Sequence, residues 1–95
     1  MEQSHTELVI QHTQYAREYN EMQIELANIK KKKPLVIIPL MAEHGSKAKA
    51  EVYYSATEDG QRELELTYLS KGVLELKRAI KTELDVQKNE SWGNY

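Results

Sequence analysis

The chain of 95 residues has no cysteine, only two prolines and four glycines, and a single tryptophan. Without cysteine there can be no disulfide, no thiolate nucleophile and no cysteine-ligated zinc site; a reducing intracellular compartment is compatible with this. Long apolar runs are also missing. The longest, Leu35–Ala42 counting Pro39, has eight residues, whereas a membrane-spanning helix needs about twenty. The opening Met1-Glu2-Gln3-Ser4-His5 lacks the basic-then-apolar order of a secretory leader. The expectation is therefore a cytoplasmic protein without a membrane partner, and Asn89-Glu90-Ser91 reads as a chance match to the glycosylation pattern. With 40% hydrophobic residues the chain is too apolar to remain disordered, and its length leaves room for one domain, 1–95.

What is present is a segregation of charge beneath a net of −2. Residues 1–29 carry five acids against Arg17, a net of −4. Residues 30–49 carry six lysines against Glu43, a net of +5, and the remainder returns to −3. A basic middle thus lies between two acidic arms.

The first arm reads as a long amphipathic helix over about 5–32. Ser4-His5-Thr6-Glu7 has capping-box order, and neither glycine nor proline follows until Pro34. Its apolar stripe is Leu8, His12, Tyr15, Tyr19, Met22, Leu26, Ile29, with steps of 4, 3, 4, 3, 4 and 3. That alternation is the seam of a coiled coil. Ile10 and Ile24 stand away from it and offer a second contact surface.

The middle reads as β-structure. Leu35-Val36-Ile37-Ile38 is β-branched and bounded by Pro34 and Pro39, which suggests a first strand at about 35–40. Residues 48–56 alternate, with Ala48, Ala50, Val52, Tyr54 and Ala56 on one face, and Leu64, Leu66 and Tyr68 alternate over 62–69. Between them Glu58-Asp59-Gly60 suits a hairpin loop with Gly60 left-handed, which sets Tyr54 opposite Leu64 and Val52 opposite Leu66. Val73, Leu76, Ile80 and Leu84 then predict a C-terminal helix over about 71–88, followed by a mobile tail at 89–95. The expected fold is α+β, in the order α-β-β-β-α, with a three-stranded antiparallel meander.

No catalytic residues, metal ligands or cofactor site emerge. His44-Gly45-Ser46 with Glu43 reads as a polar turn, and His5 and His12 are seven residues apart, about 10 Å along a helix, too far for one ion. The functional expectation is a non-enzymatic association module. The seam Leu8, His12, Tyr15, Tyr19, Met22, Leu26, Ile29, with Val36 and Ile38 of the first strand, would join subunits into a homo-oligomer, in the simplest case a twofold dimer, or bind a protein partner. One alternative is nucleic-acid binding by Lys30, Lys31, Lys32, Lys33, Lys47 and Lys49, with Tyr53 as a stacking surface. The other is a small inhibitor, of the kind viruses encode, that masks a host macromolecule through acidic surfaces.

Overall fold

A computed structural model describes residues 4–93, with side chains to Glu90. It contains three α-helices, α1 (His5–His44), α2 (Lys47–Ser55) and α3 (Glu58–Gly93). Among the described residues there is no strand. The fold is helical, and the α+β expectation, with its three-stranded meander and β-hairpin, is corrected. The chain forms two compact units, Met1–Glu21 with Ser70–Tyr95, and Met22–Leu69.

The start of α1 follows from its capping box. The Glu7 amide donates to the Ser4 hydroxyl at 3.2 Å, and the Ser4 amide donates back to the Glu7 carboxylate at 3.4 Å. The helix does not stop at 32, however, but continues through Pro34 and Pro39. Each proline withholds an amide from the carbonyl four residues earlier, on Lys30 and Leu35, and an interior proline costs a helix about 3 kcal/mol. Both of those residues and both prolines are exposed, so water can take the orphaned carbonyls. On the opposite side Ile37 is buried against Ala50 and Tyr54 of α2, with Val36 and Leu40 packed beside them. That burial outweighs the strand preference of a β-branched run.

The second expected strand, 48–56, is corrected in the same way. Ser46 caps α2, accepting from the Lys49 amide at 3.2 Å. Ala50 and Tyr54, four apart, are the buried residues of α2, while Val52 is 68% exposed. The alternation of Lys and Ala therefore disguised a helical repeat. Gly45, with φ of 82°, makes the bend between α1 and α2, and its amide donates to the Met41 carbonyl at 2.8 Å.

Gly60 is not left-handed, since Gly45 is the one positive-φ residue in the described chain. It belongs to the first turn of α3, where Glu58 and Asp59 suit the positive end of the helix dipole. Its amide donates to the Thr57 hydroxyl at 3.1 Å, so Thr57 caps this helix. The third expected strand, 62–69, also lies in α3: Leu66 is buried at 1% exposure, but Leu64 and Tyr68 are more than half exposed. Finally, α3 begins well before residue 71 and reaches Gly93, so most of the expected tail is helical; residues 94 and 95 lie outside the described chain.

The interior of both long helices keeps the steps of three and four. In the unit Met22–Leu69, Leu26 and Ile29 form a core with Leu66, and Met22 packs against it. In the other unit Leu8 and Ile80 are buried, and His5 Nδ1 lies 3.3 Å from Gln87 Oε1, so the beginning of α1 runs antiparallel to the end of α3. Along α3 the inward positions are Glu63, Leu66, Ser70, Val73, Lys77, Ile80, Leu84 and Gln87, all buried or half-buried.

Alanine at Pro34 or Pro39 is expected to raise the free energy of unfolding by about 1–3 kcal/mol each, read from urea titration.

Candidate functional site

The residues expected to form an intermolecular seam are mostly interior to the chain. Leu8, Leu26 and Ile29 are buried, and His12, Tyr15, Tyr19, Met22 and Val36 are half-buried. Ile38 alone of that set stands outside, at 64% exposure. The spacing did identify a packing seam; its observed contacts, between Leu26, Ile29 and Leu66, lie within one chain.

The expected lysine cluster does not sit in one environment. Lys30, Lys31, Lys32, Lys47 and Lys49 are exposed. Lys33 turns inward, with its Nζ 3.0 Å from Glu51 of α2, 3.8 Å from Glu63 of α3 and 4.8 Å from the centre of the Tyr54 ring. Tyr53, the expected stacking residue, is already stacked on His44 with ring centres 3.7 Å apart and 12° between planes.

Lys33 thereby ties three helices together at a cleft also lined by Tyr54, Gly60 and Thr67. Sequence reasoning scattered these groups, assigning Lys33 to the basic run, Tyr54 to an inner strand face and Glu63 to an outer one. The available signal was that Lys33 continues the seam through Leu26, Ile29, Val36 and Leu40, which puts its stem inward. Tyr54 is 3% exposed, and its buried hydroxyl has no hydrogen-bond partner. Burial, and secondly the negative charge of Glu63, push its pKa up to about 12. A Cβ at Gly60 would collide with the Tyr54 carbonyl oxygen and come within 2.9 Å of the Ser55 Cα, so glycine is what lets α3 start so close to α2.

A second polar group fixes α1 to α3. Arg62 donates twice to Glu25, Nε at 2.5 Å and Nη2 at 3.0 Å, and its Nη1 donates to Glu65 at 2.6 Å. Hydrogen bonding to Arg62 holds the Glu25 carboxyl below its ordinary pKa, and hydrogen bonding to Glu25 raises that of Arg62. In each group one cation is shared by two carboxylates, and the group acts as a clamp.

Outside the seams lies a considerable apolar surface. On α3, Leu69, Leu76 and Val86 are 46%, 49% and 43% exposed. Gly72 and Ala79, both exposed, occupy intervening positions, so the line advances in steps of three and four from Leu69 to Ala79, and the exposed Glu83 stands between Ala79 and Val86. On α1, Ile10 and Ile24 are each more than half exposed, as is Ile38, at intervals of fourteen residues. Among the described residues no group of histidines and acids is placed to hold a metal ion, and no helix is long and apolar enough to cross a membrane.

Two outcomes test the α2–α3 corner. Gly60→Ala is expected to destabilise the fold by about 1–3 kcal/mol in urea titration, although alanine is the better helix former. The Tyr54 phenol keeps its proton to a higher pH folded than unfolded, where it titrates near 10. Its contribution to stability is intact below pH 10 and is lost as pH rises through about 12. Tyr54→Phe is expected to lose less stability than the natural chain between those values in pH-dependent thermal melts.

No family model matches the chain, and searches of curated proteins and of solved structures found no match.

Proposed function

We propose that this protein is a non-enzymatic association module that binds further copies of itself through the outer surfaces of its long helices. The observation that carries this reading is the outer stripe of α3, where Leu69, Leu76 and Val86 remain open to water although the inner seam of the same helix is filled. A helix with one apolar seam needs one neighbour; a helix with two has a place for another. Large apolar side chains exposed at regular spacing are a feature of binding surfaces, whereas scattered ones are ordinary.

This reading moves the interface from Leu8, Tyr15, Tyr19 and Leu26 to positions beside the inner seam, about a quarter turn round the helices. Nucleic-acid binding draws less support, because Lys33 is held by Glu51 and Glu63, and Tyr53 is occupied by His44.

Sedimentation is expected to give a mass above the 11.0 kDa of one chain, rising with concentration. Leu69→Glu with Leu76→Glu should abolish that rise while leaving the helical circular dichroism intact. Leu26→Glu should instead unfold the chain, since it places a carboxylate in the core with Ile29 and Leu66. A mass of one chain at every concentration removes self-association.

A further inference from the structure

Opposite flanks of one unit carry opposite charge. In the unit formed by Met1–Glu21 and Ser70–Tyr95, α1 and α3 meet along the inward positions Leu8, His12, Tyr15 and Tyr19 on one side and Val73, Lys77, Ile80 and Leu84 on the other. For two antiparallel helices joined this way, the residues just before each seam position fall on one flank of the pair, and those just after fall on the other. The Glu25–Arg62 pair follows this rule, each residue immediately preceding an inward position, Leu26 and Glu63.

The preceding flank holds Glu7, Glu18, Glu21 and Glu83 and no base. Its α3 side is the apolar stripe of Gly72, Leu76, Ala79 and Val86. The following flank is the reverse. Its α1 side is small and uncharged (Val9, Thr13, Ala16, Asn20), and its α3 side holds Lys71, Arg78, Lys81 and Lys88 against Asp85 alone. Val9 is 43% and Leu76 49% exposed, and Glu18, Glu21, Lys71 and Lys81 are all exposed.

We infer that the acidic flank of one copy receives the basic flank of another, a head-to-tail contact between unlike faces of this unit. The inference rests on the association reading above and names its surfaces. With the second copy turned by half a revolution about the stacking direction, facing helices run parallel, and its Val9 and Ala16 lie over Gly72 and Ala79 of the first. The same register brings Lys71 and Lys81 over Glu7 and Glu18. Every other pairing of these flanks meets like charge or sets charge on an apolar stripe, which costs free energy. The chain itself supplies both halves of the match, so the occupant is a second copy. Because the two faces differ, binding one copy leaves an acidic face free at one end and a basic face free at the other, and the contact does not close at two chains.

The test uses the full chain and two charge-reversed variants, E18K and K81E, with circular dichroism to establish that each folds. Each variant alone is expected to lose about tenfold or more in association constant, and their equimolar mixture to recover it, because reversed faces meet their opposites. The natural chain should grow beyond two copies with concentration and weaken as salt is raised. Association that stops at two chains, or that both variants retain, or that the mixture fails to recover, overturns the head-to-tail contact while leaving self-association standing. A natural chain that stays single but binds a synthetic lysine–leucine amphipathic helix assigns the acidic flank to a foreign partner and overturns the second copy as occupant. A single chain that binds neither overturns both readings.

Discussion

The packing of Leu66 against Leu26 and Ile29 decides the rest of this structure. Within the unit Met22–Leu69, that contact fixes which side of α3 faces inward: Arg62, just before the seam, meets Glu25, and Leu69 is left facing out. The polar clamps do not choose the arrangement, since charge pairs as open to water as Glu25 and Arg62 contribute little on their own. They hold a register that burial of the aliphatic side chains has already selected.

The sequence was legible where two independent signals agreed. At the amino terminus the capping order of Ser4 and Glu7 coincides with a regular 4-3 spacing, and α1 begins there with its seam inward. It was misleading where short apolar runs admit either period. Four β-branched or aliphatic residues between two prolines resemble a strand, and nothing local reveals that Ile37 will find Ala50 and Tyr54. Lys47-Ala48-Lys49-Ala50 alternates, yet alanine suits a helix and Ser46 is a good cap; the alternation was weighed and the cap was not. Gly60 was assigned to the wrong requirement. It supplies room between backbones, a need visible only once α2 and α3 are placed together.

The candidate surface was legible in part for a related reason. The seam of α1 could be traced residue by residue, but a seam does not say whether its partner is another molecule or a later stretch of the same one. The alternation reading of 62–69 hid the first part of the inner stripe of α3; Val73, Ile80 and Leu84 were read as one helix face, but Leu76, counted with them, is 49% exposed. The segregation of charge along the sequence pointed to the lysine-rich middle. The structure adds a segregation across the helix pair, with glutamates before the seam and lysines after it.

The two prolines of α1 have one more effect. With the amides of residues 34 and 39 missing, the ladder of hydrogen bonds is cut twice within six residues. Cooperative unzipping travels along such a ladder, so fraying that starts at His44 meets a break before it reaches the core around Leu26. The segment that anchors α2, with Ile37 at its centre, thus lies between two gaps in the hydrogen-bond ladder, and packing against Ala50 and Tyr54 supplies what the ladder there lacks.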